Sequence, residues 1–304
     1  VGRVAVIGST NIDLVAYAQR APKAGETLQA DDFAMHCGGK GANQAVAAAK
    51  LGADVMMVSR VGDDTFADTS LANYQRFGID TTQVCKVSNT PSGIAQITVE
   101  ASGENRILIV PGANAALMPD DLDVLEGELA QCALIVLQLE VPLPTVYRAI
   151  ELGEALKVPV LLNPAPASPE LDLAYACRCA YVVPNETELA LLTGMPVGDR
   201  AAIQAAAQSL LDRGLQAVIV TMGGDGALHL CAEGATHVPA PPVAVVDTTG
   251  AGDAFVGCFS AQLASGQSEA DALSAAVRYA ALSVTAQGTH DAYADAAAFA
   301  RWTP

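Results

Sequence analysis

The sequence predicts a doubly wound α/β protein built on a mostly parallel sheet. Two observations carry this. Short β-branched or apolar runs alternate with helical stretches along the whole chain, and two glycine-rich segments each lead directly into a helical run of small residues. The first strand is Val4 to Ile7, ending at the loop Gly8-Ser9-Thr10-Asn11-Ile12-Asp13. The segment Cys37-Gly38-Gly39-Lys40-Gly41-Ala42-Asn43-Gln44-Ala45 then opens an Ala-rich helix that Gly52 is placed to end. Further strands are expected at Val55 to Val61, Leu134 to Leu139, Val158 to Leu162, Tyr181 to Val183 and Val218 to Thr221. Continuous apolar runs of this kind suit strands covered on both faces. Between them, helices are expected at Asp64 to Phe77, Asp120 to Ala130, Pro144 to Leu156, Glu186 to Thr193 and Asp199 to Arg213, with right-handed crossovers.

Two stretches break the rhythm. Val15 to Phe33 lacks helical periodicity, and Ser92 to Val110 reads as a hairpin, its residues alternating up to a turn at Ser102-Gly103.

Composition bounds the function. A chain of 304 residues with 51% hydrophobic residues can bury a large core, and we expect one main domain over 1–304. The formal charge of −17 argues against nucleic acid or an anionic membrane as partner. The longest apolar runs, such as Ala133 to Leu137, are far too short to span a bilayer, and the chain opens on a strand-like run where a signal peptide would stand. A cytoplasmic location is the expectation. Seven scattered cysteines without a C-x-x-C pair are read as reduced, mostly buried thiols.

The most informative stretch is Asp247-Thr248-Thr249-Gly250-Ala251-Gly252-Asp253, running into the apolar Ala254 to Phe259. Small residues where a turn enters a helix bare the first N–H groups and the positive end of the helix dipole, which together can cradle a phosphate. Asp253 at the edge of such a cradle is suited to take a proton from an attacking hydroxyl. The same residues would also make an ordinary glycine turn with an acidic first helical turn. At the earlier glycine segment, bare backbone with Lys40 and Asn43 suits a polyhydroxylated ligand, or forms a tight turn with a solvated lysine. Asn185-Glu186-Thr187-Glu188 has the spacing of a capping box, at a helix start where phosphate could also bind. No Walker A pattern is present, and no G-x-G-x-x-G follows the first strand.

The two glycine segments, with Gly52 and Gly62 after the first, resemble the two signatures of PfkB-type carbohydrate kinases, in their ribokinase-like branch. Gly8 to Asp13, Gln138-Leu139-Glu140, Pro184 to Glu188 and Thr221-Met222-Gly223-Gly224-Asp225-Gly226 match in family order, so the resemblance covers the whole chain. It implies a ribokinase-like fold in which about 14–36 and 90–110 form a small β-sheet lid, with a homodimer made through that lid. It implies ATP-dependent phosphorylation of the 5-hydroxyl of D-ribose. Asn11, Asp13, Gly39, Lys40, Asn43 and Glu140 would surround the sugar, with Asp253 as base and the N–H groups of Gly250, Ala251 and Gly252 stabilising the transferred group. Asn185, Glu188, Thr221, Gly223, Gly226 and Gly252 would serve ATP and Mg²⁺, with adenine near Val243 to Val246 and the helix Ala275 to Ala286. Asp247, Thr249, Ser283, Ala286, Gly288 and Ala292 correspond to the family's K⁺ site, where Ala292 replaces a frequent serine. His290 and Tyr293 beside it are read as substrate-side or surface residues.

Deoxyribose, fructose or a nucleoside would keep the same catalytic loop, and a sugar-binding regulator without catalysis is the alternative of another class. An intact Gly250 to Asp253 loop counts against the regulator.

Overall fold

A computed structural model describes residues 2–304. In chain order its first seven strands are β1 (Arg3–Ile7), β2 (Asn11–Ala18), β3 (Asp32–Gly38), β4 (Asp54–Val61), β5 (Asp80–Lys86), β6 (Gly93–Glu100) and β7 (Asn105–Val110). The rest are β8 (Cys132–Leu137), β9 (Val160–Leu162), β10 (Tyr181–Val182), β11 (Ala217–Thr221), β12 (Ala227–Cys231) and β13 (Gly234–Val238). Nine of them form one sheet in the order β13-β12-β11-β10-β9-β8-β1-β4-β5, parallel except at one edge, where β12 pairs antiparallel with both β11 and β13. The other four form a small mixed sheet, β3-β2-β6-β7, with β2 and β6 parallel.

Period-two alternation divides the core between the faces of the large sheet. Ala5 and Ile7 of β1 point to one side with Ile135 and Leu137, where Val146, Ala149 and Ile150 of the helix Leu143–Leu156 cover them. Val4 and Val6 point to the other with Leu134 and Val136, under the helices Lys40–Lys50, Ala251–Ala264 and Glu269–Ser283. The two glycine segments therefore start helices on the same face. The Lys40–Lys50 and Ala251–Ala264 helices approach so closely that a Cβ on Gly257 would meet the Ala47 Cβ at 2.5 Å and the Gln44 carbonyl at 2.6 Å. Alanine on one side and glycine on the other make that contact possible.

One expected element is corrected. Asp120 to Ala130 is not a continuous helix: Asp120–Asp123 and Glu126–Leu129 are separate single turns. Leu122, Leu125 and Leu129 are buried, so the segment follows the core, while aspartates and Gly127 give the backbone little helical preference to bridge the turns. All seven cysteines are free, with Cys132, Cys177, Cys179 and Cys258 buried. Among the described residues, no helix is long and apolar enough to cross a membrane.

Candidate active site at the switch point of the sheet

From β1 the chain first winds outward to β4 and β5, then returns to place β8, β9, β10 and β11 on the other side of β1. Strand order reverses between β1 and β8, and the crevice beyond their carboxyl ends is the position where ligands of open α/β sheets bind. Glu140, just past β8, bridges this point. Its Oε2 accepts from the Ser9 hydroxyl at 2.5 Å and from the Lys40 N–H at 2.9 Å, so one carboxylate joins the ends of both strands to the first turn of the Lys40–Lys50 helix.

Asn11 and Asp13 lie on β2, opposite Gly38 and His36 of β3. Asn11 is buried, and its Oδ1 accepts from Asn114 Nδ2 at 2.7 Å. Its NH2 group has no protein acceptor among the described residues. Gly39 caps the helix at φ 91°, where a Cβ would meet the Asn11 N at 2.9 Å, so glycine is required both for the turn and for the approach of the strand.

Asp13, Lys40, Glu140 and Asp253 form one electrostatic group. The Asp13 carboxyl is pushed up to about 7 by burial, then by the negative charges of Glu140 and Asp253, with Lys40 opposing. Burial works against the Lys40 ammonium, but Asp253, Glu140, Glu188 and Asp13 outweigh it and hold its pKa above the ordinary value. Among the described residues the arrangement is a lone cation among four carboxylates.

Asp253 is 7% exposed, in the first turn of the Ala251–Ala264 helix. Asn43 Nδ2 donates to its Oδ2 and Gln44 Nε2 to its Oδ1, each at 2.9 Å. Burial raises its pKa, against Lys40 and these two donors. A carboxylate so held keeps lone pairs while its proton affinity rises, which is what a general base requires. Asn43 Oδ1 is buried without a partner.

Several of the residues around this group escaped the sequence reading. Gln44 Oε1 accepts from Gln138 Nε2 at 2.7 Å, and Gln44 Nε2 also reaches Asn163 Oδ1 at 3.1 Å, so a buried amide chain runs from β8 and β9 to Asp253. Asn114 pins Asn11, and Ser9 pins Glu140. The available signal was an adjacent Asn43-Gln44 pair in an alanine-rich helix, since buried amides demand partners.

Gly250 is the N-cap at φ 71°, and the N–H groups of Gly250 and Gly252 have no backbone acceptor among the described residues. The three-amide expectation is corrected at Ala251, whose N–H is donated to the Thr248 carbonyl at 3.2 Å. Gly252 and Ala251 also line a cavity of about 730 Å³. Asn185, Thr221, Gly223 and Gly226 line it from the β10 and β11 side, and Val243, Val245, Val277, Ala280, Ala281 and Val284 give it apolar walls. Asn185 and Glu188 form the full capping box: Asn185 Oδ1 accepts the Glu188 N–H, and Glu188 Oε2 accepts the Asn185 N–H, both at 2.8 Å. Burial raises the Glu188 pKa against the Asn185 bond and Lys40.

Of the six predicted cation ligands, three are joined. Asp247 Oδ1 accepts from the Thr249 N–H and hydroxyl at 2.9 and 2.7 Å, and Oδ2 from the Gly288 N–H at 2.9 Å. The Ser283 hydroxyl turns back to the Ala280 carbonyl at 2.8 Å, Ala286 is exposed, and Ala292 donates its N–H to Thr289. His290 and Tyr293, read as substrate-side or surface residues, are instead 6% and 2% exposed, because aromatic rings and Lys50 enclose them.

A family model described as pfkB family carbohydrate kinase matches residues 1–296. The deoxyribokinase of Salmonella typhi is 55% identical over 291 residues, covering 95% of each chain. The ribokinase of Schizosaccharomyces pombe is 41% identical over 295 residues, covering 94% of this chain and 92% of its own. Among solved structures, Arabidopsis thaliana ribokinase complexed with ribose and ATP superposes with a TM-score of 0.91 at 30% identity, covering 99% of both chains. The chain belongs to the pfkB family of carbohydrate kinases and is of the ribokinase type, a phosphotransferase acting on a sugar.

Proposed function

We propose that this kinase transfers the γ-phosphoryl group of ATP to the 5-hydroxyl of D-ribose, giving D-ribose 5-phosphate and ADP. The observation that carries the reading is Asp253, held by Asn43 and Gln44 between the carboxylate–lysine group and the bare Gly250 and Gly252 amides. Asp253 takes the proton of the hydroxyl, that oxygen attacks the γ-phosphorus in line, and the two amides stabilise the charge on the transferred group. Asp13, Lys40, Asn43 and Glu140 hold the sugar's other hydroxyls. The cavity of about 730 Å³ takes the nucleotide, its apolar wall toward adenine.

Mg²⁺ bound with the nucleotide would neutralise phosphate charge, with Asn185 on the cavity lining and Glu188 beside it in the capping box. K⁺ suits the hard oxygens of Asp247 and loop carbonyls such as those of Ala286 and Gly288, where Ala292 contributes no side-chain oxygen. The small sheet acts as the lid over the sugar. Phe33 and Leu108 on it are 62% and 69% exposed, and a second copy of the lid would cover them in a homodimer.

Ribose is favoured by the free NH2 group of Asn11, which a substrate lacking a hydroxyl would leave unmatched. The 55% identical deoxyribokinase favours 2-deoxy-D-ribose as the second reading. ADP release with ribose, deoxyribose, fructose and nucleosides, with and without K⁺, decides between them. Higher kcat/KM for ribose supports the first reading, a preference for deoxyribose replaces it with the second, and sugar binding without ADP indicates a regulator.

A further inference from the structure

Lys50 is the last residue of the Lys40–Lys50 helix, yet its ammonium serves a distant loop. It donates to the His290 carbonyl at 2.6 Å and to the Tyr293 carbonyl, 240 and 243 residues along the chain. The ring of Phe77 lies 5.2 Å from the nitrogen and shields it on another side. A lysine acting only as a helix-end charge would reach the last carbonyls of its own helix. Lys50 instead ties together the two ends of the 290–293 turn.

That loop delivers Tyr293 to the cradle. The phenol is 2% exposed, and its hydroxyl donates to the Gly250 carbonyl at 2.8 Å. The same carbonyl receives the Ala254 N–H at 2.8 Å, so two donors fix one peptide oxygen. Fixing that peptide sets the direction in which the Ala251–Ala264 helix begins, and with it the Gly252 amide and Asp253 in its first turn. A Cβ on Gly250 would lie 2.5 Å from the Tyr293 oxygen, which shows how tightly the phenol seats against the turn.

We propose that Lys50 and Tyr293 are positioning residues that act as one strut, running from the ammonium through the 290–293 carbonyls and the phenol to Gly250. The strut holds the cradle in its transfer geometry before substrates arrive. Neither residue touches a substrate. The proposal rests on the phosphotransfer reading of the Gly250 to Asp253 turn.

The test uses the full chain with Y293F, K50M, K50R and the K50M/Y293F double variant, measuring ADP release and amide hydrogen exchange. Y293F and K50M should each lower kcat about tenfold, the size expected for one buried hydrogen bond, with the sugar KM within about twofold. K50R, which keeps donors for both carbonyls, should retain most of the activity. The double variant should be no more than about twofold worse than either single one, since both break the same connection. Exchange at 248–254 should quicken in Y293F. Unchanged kcat and exchange in Y293F and K50M, effects that multiply in the double variant, or a sugar KM that rises as kcat falls would each overturn the strut. If the wild-type chain phosphorylates no sugar, the phosphotransfer reading fails, and exchange alone then decides: faster exchange at 248–254 in both variants upholds the strut, and unchanged protection overturns it.

Discussion

On the β1 side of the switch point, Asp13, Lys40, Glu140 and Asp253 confront one another as side chains; buried amides hold Asp253, and the Ser9 hydroxyl and the Lys40 N–H hold Glu140. On the β11 side the cavity presents small and apolar residues, with glycines at 223, 224, 226 and 252 and the methyl groups of Val243, Val277 and Ala280. On the proposed reading, the difference follows from what each half would recognise. A polyhydroxylated ring needs many directed donors and acceptors, whereas a nucleotide's phosphates can be met by backbone amides and a helix dipole. On that reading a protein of net charge −17 can hold an anion because backbone amides and a helix start would face the phosphates, so the overall charge is of little consequence there.

The largest effect is expected at the junction of the halves. D253N should lower kcat by about 10² to 10⁴ while sugar and ATP bind nearly as before, as checked by steady-state kinetics and calorimetric binding. Next, K40M removes the one cation among four carboxylates, and the sugar KM should rise by more than about tenfold, with a smaller change in the ATP KM. A280L fills the apolar wall of the cavity and should raise the ATP KM on the order of tenfold, leaving the sugar KM alone. Equal effects of K40M and A280L on both substrates would erase the division between the halves.

The remaining effect is on stability and belongs wholly to the charged half. Asp13 is about 7 in the fold against 3.8 as a free side chain, so between those values the folded protein binds more protons than the unfolded one. Stability from this group is present below about pH 4 and is lost as pH rises to about 7, levelling off above. The groups around Asp13 that set this are Glu140, Asp253 and Lys40, with the Cys37 thiol also nearby. D13N removes the ionisation, so its Tm relative to the wild type should climb between about pH 5 and pH 7.5. A flat difference would show that Asp13 titrates normally.

The two halves were unequally legible in the sequence. Helix Glu186–Thr193 and its capping box were readable to the residue because caps are local. The strands β4, β8 and β11 were readable within two residues, since buried parallel strands are continuous apolar runs. Strand β5, Asp80–Lys86, is polar and lies at the sheet edge, so no apolar run announced it. In the site, glycine segments mark a cradle in one dimension, but the partners of Asp253 lie 209 and 210 residues away, and only the packing of Gly257 on Ala47 brings them within reach. Ala251 shows the reverse limit: sequence places its amide in the cradle, and the turn geometry then gives it to Thr248.

Everything in the proposed function turns on Asp253 meeting the hydroxyl that is phosphorylated. A crystal structure with sugar and a non-hydrolysable ATP analogue tests it most directly. The sugar's 5-oxygen should lie about 2.6 to 3.2 Å from an Asp253 carboxylate oxygen, on the side facing the Gly250 and Gly252 amides and the γ-phosphate. A sugar bound with that oxygen out of reach of Asp253, or terminal phosphate seated away from those amides, would contradict it.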